Sequence, residues 1–279
     1  MYEILKKEVF SPTLKLMDIK APEIAKKVKP GQFVILRINE QGERIPLTVA
    51  DFDRSLGTIT IIFQEVGHST TELGKLEAGQ SLLDFVGPLG EPTLIENFGK
   101  VICIGGGVGI APVFPIARAL KEAGNEVISI IGARCADLLF WEKEMEMASN
   151  RLLVATDDGS YGRQGFVTDI LKEIMMEEKI DQIWAIGPVV MMRAVSESTK
   201  AAGIKTIVSM NPIMVDGTGM CGACRVAVGD ETKFACVDGP EFDGHLVDWQ
   251  LALRRSNMYK QEEKQIIEHH KCGGDCGCQ

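Results

Sequence analysis

Apolar and polar residues alternate in short runs over the N-terminal third of the chain. β-Branched, aromatic and leucine residues fill three of these runs, at residues 33–38, 58–63 and 81–86, and turn residues lie between them. Strands of this length and spacing are typical of small antiparallel sheets that close into barrels. We therefore predict an antiparallel β-barrel domain over residues 1–98.

A second pattern, in which an apolar strand, a glycine-rich turn and a helix repeat, begins at residue 99. The predicted strands lie at residues 101–104, 126–131, 151–155, 182–186 and 205–209, and two predicted helices lie at residues 111–123 and 168–178. Such alternation is typical of a parallel sheet covered by helices. The predicted fold class is thus a β-barrel followed by an α/β domain with a parallel sheet over residues 99–209.

The periodicity is lost over residues 210–247, which are rich in glycine and cysteine. We interpret this segment as a loop module wrapped around a cofactor. A helical pattern follows over residues 248–270, and the end of the chain holds Cys272, Cys276 and Cys278. We expect residues 248–279 to form a C-terminal helix and a flexible tail with exposed thiols, and a metal site in the tail is the alternative.

Composition and charge exclude several classes of protein. The 279 residues are 45% hydrophobic and 25% charged, which is typical of a globular chain of two or three domains. The net charge of −9 argues against nucleic-acid and anionic-membrane partners, because phosphate-binding surfaces need an excess of Lys and Arg. The longest uncharged run, residues 101–117, contains four Gly and two Pro and is too short to span a membrane. We predict a cytoplasmic protein whose eight cysteines are thiols or metal ligands.

A glycine cluster lies between the first strand and the first helix of the α/β domain. It comprises Gly105, Gly106, Gly107 and Gly109, with Ala111 and Pro112 following. Glycine lets the backbone approach a pyrophosphate closely at a helix N-terminus, so the cluster predicts a nucleotide site. The spacing departs from G-x-G-x-x-G, and a purely structural turn is the alternative.

Small and polar loops follow the later strands of the same sheet. They contain Gly132, Ala133 and Arg134, then Asp157, Asp158 and Gly159, and finally Gly187 and Pro188. The carboxyl ends of parallel strands meet at one edge, where open α/β sheets bind their ligands. Asp157 and Asp158 would repel the 2′-phosphate of NADP, so we predict a preference for NAD(H), whereas Arg134 could bind that phosphate.

These motifs, in this order, resemble the pyridine-nucleotide domain of the ferredoxin reductase family, in which an FAD-binding barrel comes first. The barrel motif is matched by Arg44, Pro46, Leu47 and Thr48, and the flavin phosphate loop by Gly67, Ser69 and Thr70, with Gln64 at the end of the preceding strand. The resemblance implies one non-covalent FAD, with Arg44 on its pyrophosphate, Pro46 and Leu47 against the ring, and Thr48 bonded to ring heteroatoms. For Arg44 alone, a solvated surface residue is the alternative.

The most specific motif of the chain begins at Asp216. Its spacing is D-x4-C-x2-C-x11-C, with the cysteines at positions 221, 224 and 236. Plant-type [2Fe–2S] sites have the spacing C-x4-C-x2-C and a distant fourth cysteine, so Asp216 stands where their first cysteine would be. We predict a [2Fe–2S] cluster bound by Asp216, Cys221, Cys224 and Cys236. A zinc site is the alternative, as is an Asp216 that only caps a turn.

Residues 3–258 as a whole resemble the electron-transfer small subunits of dihydroorotate dehydrogenase, sulfide dehydrogenase and NADH-dependent reduced ferredoxin:NADP oxidoreductase. The resemblance is greatest to the last of these, and it implies a cluster with aspartate as the fourth ligand. The resemblance implies an oxidoreductase subunit, without a catalytic residue of its own, that passes electrons between NAD(H), FAD and the cluster. It also implies a heterodimer with a larger flavin and iron–sulfur subunit that handles NADP(H) and ferredoxin and can bifurcate electron pairs.

Two alternatives to this function stay open. The chain could be the electron-transfer subunit of a dihydroorotate or sulfide dehydrogenase. It could also be a redox-sensing or metal-binding regulator that keeps the fold and has no flavin turnover.

Overall fold

Seven antiparallel strands of the N-terminal region form one sheet that nearly closes into a barrel. They are β1 (Tyr2–Ser11), β2 (Leu14–Lys20), β3 (Phe33–Arg37), β4 (Ile45–Asp53), β5 (Thr58–Gln64), β6 (Ser81–Leu82) and β7 (Asp84–Leu89), paired in the order β6-β1-β2-β5-β4-β3-β7. This computed structural model describes residues 1–263 and Gln265. The predicted barrel is confirmed.

The two edges of the barrel sheet are consecutive in the chain. The run predicted at residues 81–86 as one strand is in fact β6 and β7, which are separated by Leu83. The Leu83 N–H donates to the Arg37 carbonyl over 3.0 Å, so the chain passes from one edge of the sheet to the other at this residue. Two short helices, α1 (Pro22–Ala25) and α2 (His68–Lys75), lie in the connections of the barrel.

Alternation along β5 explains how the barrel packs on both sides. Ile59, Ile61 and Phe63 point into the barrel core, because side chains of a strand alternate between its faces. Ile62 points the other way and packs in the core of the next domain. The barrel wall is therefore also an interdomain interface.

The second domain contains a parallel sheet with helices on both faces. Its strands are β8 (Lys100–Gly106), β9 (Glu126–Ala133), β10 (Arg151–Thr156), β11 (Arg163–Gln164), β12 (Gln182–Ile186) and β13 (Lys205–Ser209). Its helices are α3 (Ile110–Glu122), α4 (Glu142–Ala148), α5 (Val167–Glu177) and α6 (Val189–Lys200). The predicted parallel sheet is confirmed, with strand boundaries within two residues of those predicted.

The strand order of this sheet reverses at β8. The order of these six strands is β11-β10-β9-β8-β12-β13, so the chain first builds outward from β8 on one side and then returns to the other side. Apolar residues of β8 alternate accordingly: Ile102 and Ile104 pack with α5 and α6, and Val101 and Cys103 pack with α3 and α4. The carboxyl ends of β8 and β12 form a topological switch point, where such sheets bind ligands.

The segment after β13 has more regular structure than its sequence predicts. It contains a hairpin of β14 (Arg225–Val228) and β15 (Glu231–Phe234), and then β16 (Glu241–Asp243), which pairs antiparallel with β13. The prediction of a loop with little regular structure over residues 210–247 was therefore incomplete. These strands are only three or four residues long, too short to produce a clear period in the sequence.

The helix predicted over residues 248–270 is interrupted in the structure, and residues 264 and 266–270 of it lie outside the described residues. Helix α7 (Trp249–Ser256) begins after Asp248, whose side chain accepts a hydrogen bond from the Leu251 N–H at 2.9 Å. A turn at residues 257–259 then interrupts the helix. Cys272, Cys276 and Cys278 lie outside the described residues. No helix in the described part of the chain has the length and apolar character needed to cross a membrane.

Candidate functional site

A cavity of about 930 Å³ lies between the barrel and the α/β domain, at the switch point of the sheet. Predicted site residues that line it from the barrel are Pro46, Leu47, Thr48, Gln64 and Thr70. Those that line it from the α/β domain are Gly106, Gly107, Gly109, Pro112, Gly132, Ala133, Arg134, Asp157, Gly187 and Pro188. Most of the sequence-predicted residues therefore meet around one space, although they come from seven separate stretches of the chain.

The glycine turn forms the floor of this cavity. Gly107 has a φ of +54°, and a Cβ built on it would meet nothing within 4 Å, so its backbone faces open space. At Gly109 a Cβ would lie 2.2 Å from the Ile186 carbonyl oxygen, so a side chain there would push β12 away from the turn. The turn thus offers bare backbone at the N-terminus of α3, as a pyrophosphate site requires.

Two residues of the glycine motif support the turn from behind and do not line the cavity. A Cβ on Gly105 would lie 2.8 Å from the Ile110 Cα, so this glycine lets α3 pack closely on β8. Ala111 is buried in the core on the same side of the sheet. Both predicted residues therefore have packing roles in the structure.

The two aspartates in the loop after β10, Asp157 and Asp158, lie in different environments. Asp157 lines the cavity. Asp158 accepts hydrogen bonds from the Ser160 hydroxyl at 2.6 Å and the Ser160 N–H at 2.9 Å, and these bonds hold its pKa below the usual value. Gly159 completes this turn with a φ of +75°. Asp158 and Gly159 shape the loop and do not line the cavity, whereas Asp157 and the nearby Arg134 do.

The flavin phosphate loop predicted from the sequence is folded by its threonine. The Thr70 hydroxyl accepts hydrogen bonds from the N–H groups of Val66 and Gly67, both at 3.1 Å, and so caps the start of α2. Ser69 bonds instead to the Glu43 carboxylate. Arg44 is exposed, and Arg44, Gly67 and Ser69 do not line the cavity, so the assignment of these three residues to FAD stays a prediction.

Several lining residues have no motif in the sequence. They are Phe33 on β3, Phe166 before α5, the segment of Met210, Asn211 and Pro212 after β13, and Pro240 before β16. The Met210 N–H donates to the Pro240 carbonyl at 2.8 Å, and the Glu91 N–H donates to the Gly239 carbonyl at 2.6 Å. Backbone pairing between distant segments places these residues at the cavity, and a scan for local motifs does not detect such pairing.

The predicted cluster ligands form two pairs. Cys224 and Cys236 are buried, with their Sγ atoms 3.2 Å apart. Burial, followed by the neighbouring Cys224, raises the pKa of the Cys236 thiol to about 12. Cys221 is exposed and lies beside Asp216, whose Oδ2 accepts a hydrogen bond from the Cys221 N–H at 3.0 Å.

Asp216 also caps the turn that leads to the first cysteine. Its Oδ1 accepts from the Thr218 N–H at 2.9 Å, and this bond is the main reason why the pKa of Asp216 lies below its usual value. Each carboxylate oxygen has a second lone pair, so capping and metal ligation are compatible.

This donor set fits a binuclear cluster better than a single ion. Each iron of a [2Fe–2S] cluster takes two protein ligands, whereas structural zinc takes four around one ion. Within the described residues, no three His, Cys, Asp or Glu side chains converge on the position of one metal ion. Cys224 and Cys236 supply one such pair through their Sγ atoms, and Asp216, which contacts the Cys221 backbone, would form the second pair with the Cys221 thiol.

Family models match two segments of the chain. The iron–sulfur cluster binding domain of dihydroorotate dehydrogenase B matches residues 211–248, and the oxidoreductase NAD-binding domain matches residues 103–197. The first match contains all four predicted cluster ligands, and the second contains the glycine turn.

Full-length relatives agree with these matches. A dihydroorotate dehydrogenase B (NAD(+)) electron transfer subunit homolog from Thermotoga maritima is 49% identical over 94% of this chain and 93% of its own length. A chain in the structure of the NADH-dependent reduced ferredoxin-NADP oxidoreductase, described for flavin-based electron bifurcation, is 47% identical, with a TM-score of 0.92 over 97% of this chain and 98% of its own. A ferredoxin NADP+ reductase from Neisseria gonorrhoeae, solved with FAD and NADP, shares the fold at 18% identity, with a TM-score of 0.61 over 73% of this chain and 91% of its own.

Proposed function

Because the chain belongs to the family of dihydroorotate dehydrogenase B electron-transfer subunits and their homologues, we propose that it passes electrons between NAD(H), FAD and a [2Fe–2S] cluster on behalf of a larger partner subunit. The observation that carries the proposal is the single cavity lined by the barrel, the glycine turn and the segment that leads into the cluster module. When bound, the flavin would exchange hydride with the nicotinamide and single electrons with the cluster.

The residues of the chain would bind and orient the two nucleotides. On the barrel side, Pro46 and Leu47 would pack against the flavin ring, Thr48 would bond to its heteroatoms, and Arg44 would reach the pyrophosphate from the rim. On the α/β side, the turn at Gly106 and Gly107 would receive the pyrophosphate of NAD(H). The apolar lining would exclude water from the space between the rings.

We also propose that NAD(H) is preferred over NADP(H). Asp157 lines the cavity and would repel a 2′-phosphate, while Arg134 lines it nearby and would attract one. Stopped-flow reduction of the bound flavin by each nucleotide measures the preference. Equal rates with NADH and NADPH would contradict it.

Asp216 and Cys221 would hold one iron of the cluster, and Cys224 and Cys236 would hold the other. A carboxylate is a harder and weaker donor to iron than a thiolate, so Asp216→Cys should keep the cluster and change its EPR g-values and potential. Asp216→Ala should lower the iron content, and deletion of residues 272–279 is the control, since it removes three other cysteines. Loss of the cluster on deletion, with an unchanged spectrum in Asp216→Ala, would contradict the assignment.

The partner is proposed to be a larger flavin and iron–sulfur subunit that handles NADP(H) and ferredoxin by electron bifurcation. The structural relative at 47% identity supports this choice, since it is a chain of an NADH-dependent reduced ferredoxin-NADP oxidoreductase. The dihydroorotate dehydrogenase role is the second candidate, favoured by the family model over residues 211–248. The division into domains at residues 98, 209 and 247 and the cytoplasmic location stay predictions.

A visible spectrum of the purified chain tests the function. We expect flavin and iron–sulfur bands that bleach when NADH is added. A colourless protein, or flavin bands that NADH leaves unchanged, would contradict the proposal. Purification of the native complex, followed by assays with NADP(H) and ferredoxin and with dihydroorotate, then distinguishes the two partner roles.

A further inference from the structure

Two arginines from different elements bind consecutive backbone carbonyls of the loop between Cys221 and Cys224. Arg225, at the start of β14, donates from Nη1 to the Gly222 carbonyl at 3.1 Å. Arg255, on α7, donates from Nη2 to the Ala223 carbonyl at 2.7 Å. Arg255 lies 32 residues after Ala223 and outside the segment that matches the cluster-binding family model.

Peptide geometry relates these carbonyl contacts to the opposite side of the loop. In a planar trans peptide, the C=O and the following N–H point in opposite directions. The peptide between Gly222 and Ala223 shows this arrangement. Arg225 binds its carbonyl, and its N–H, which belongs to Ala223, points to the Cys221 Sγ at 3.5 Å. The next peptide joins Ala223 to Cys224. Arg255 binds the Ala223 carbonyl of this peptide, and the N–H of the peptide belongs to Cys224. That N–H is therefore directed away from Arg255 and back into the loop.

The environment of Arg255 differs from that of its neighbour on the helix. The Arg255 Nε is fully buried, and it has no hydrogen-bond partner among the described residues. Arg254, the preceding residue, is exposed to solvent. A positive charge held in a partly buried position is screened much less than an exposed one. Arg255 therefore places an effective charge against the cluster loop, while Arg254 does not.

We infer that Arg255, assisted by Arg225, is a positioning residue that aims backbone N–H groups at the sulfurs of the cluster and raises its reduction potential. The inference rests on the proposed [2Fe–2S] centre. On reduction the centre gains one electron and one unit of negative charge, and no bond is formed or broken. Amide N–H groups directed at sulfur and a nearby cation both favour the more negative reduced state.

A purely structural role is the rival explanation, because the bond from Arg255 also anchors α7 to the cluster module. The two roles differ in what they alter. An anchor affects cluster loading and thermal stability, whereas a positioning residue changes the potential of a cluster that is fully loaded.

The experiment compares R255Q, R255K and the matched control R254Q in the full chain. Iron and sulfide content is measured first, and the cluster is then titrated by EPR at controlled potential. In R255Q we expect a shift to more negative potential, equivalent to about a tenfold loss in the reduced-to-oxidised ratio, or about 59 mV for one electron. R255K keeps the charge and should shift less, and R254Q should titrate like the wild type. The hyperfine coupling of a 15N-labelled Cys224 amide should also weaken in R255Q.

The results distinguish failure of this inference from failure of the proposed function on which it rests. A loaded R255Q with wild-type potential would overturn the inference alone, as would an equal shift in R254Q. If R255Q loses iron, R255K and R225Q are titrated instead, and wild-type potentials in both would overturn it. A wild-type chain without iron would overturn the proposed function together with this inference.

Discussion

At the scale of single residues, Glu241 is a half-buried acidic residue whose carboxyl group has no role in the proposed electron path. Glu241 lies on β16 and accepts a hydrogen bond from the Thr93 hydroxyl at 2.6 Å. Burial raises its pKa from the usual 4.5 to about 7, and the bond from Thr93 offsets only part of the rise. A group whose pKa is raised by folding binds its proton more tightly in the folded state.

Stability should therefore fall with rising pH over the range set by Glu241. The folded chain binds more protons than the unfolded chain between about pH 4.5 and pH 7, so its free energy of unfolding decreases through that range. Glu241→Gln should be more stable than the wild type by about 3 kcal/mol at pH 8 and equally stable at pH 4. Thermal unfolding at both pH values tests this. Asp243→Asn on the same strand is the control, and an equal gain there would contradict it.

Sequence reasoning could select residues whose type is dictated by a close backbone approach or by ligand spacing. Gly107 was predicted because glycine lets the backbone approach a pyrophosphate, and in the structure it has a φ of +54°. Cys221 was predicted from its spacing to Asp216 and Cys224, and its role as a ligand stays a prediction. Phe33 and Pro240 were missed because strand pairing between remote segments puts them at the cavity. Arg255 was missed for the same reason, since its contact with Ala223 spans 32 residues and no motif marks it.

At the scale of elements, the glycine turn between β8 and α3 allows a test with a closely matched control. Gly107 and Gly203 have φ values of +54° and +64°, and a Cβ on either would meet nothing within 4 Å. Alanine at each position should therefore cost a similar strain of about 1–2 kcal/mol. Of these two glycines, Gly107 lines the cavity and Gly203 does not.

We expect Gly107→Ala to weaken binding of NADH at least tenfold, because the added methyl group projects into the space of the pyrophosphate. Gly203→Ala should lose a similar amount of stability and bind NADH like the wild type. Isothermal titration and thermal unfolding provide the two readouts. Equal NADH affinities in the two variants would mean that the turn does not hold the nucleotide.

At the scale of the whole molecule, one ion pair joins the barrel to the α/β domain. Arg118 on α3 donates to both carboxylate oxygens of Asp51 on β4, at 2.6 and 3.3 Å. Its guanidinium also lies 4.9 Å from the centre of the Phe114 ring and 5.8 Å from that of Phe52. Because the proposed flavin site lies on the barrel and the proposed nicotinamide site on the α/β domain, we expect this contact to help set the distance between them.

Arg118→Met should therefore affect the reaction more than the fold. We expect the free energy of unfolding to fall by about 1 kcal/mol, and the rate of flavin reduction by NADH to fall at least tenfold. Arg193→Gln, which breaks a pair with Glu197 within α6, is the control and should leave the rate unchanged. A normal rate in Arg118→Met would show that other contacts fix the distance between the rings.

The pairing of β16 with β13 also bears on how the chain avoids aggregation. Strand β13 would otherwise be the outer strand of the parallel sheet, with unpaired N–H and C=O groups able to recruit a strand from another molecule. Ile207, Val208 and Ser209 instead pair with residues 241–243, which come after the four predicted cluster ligands in the chain. A fragment that ends at residue 209 would expose this unpaired strand edge and should aggregate more readily. During synthesis on the ribosome, the sheet likewise keeps an open edge until all four predicted cluster ligands have been made.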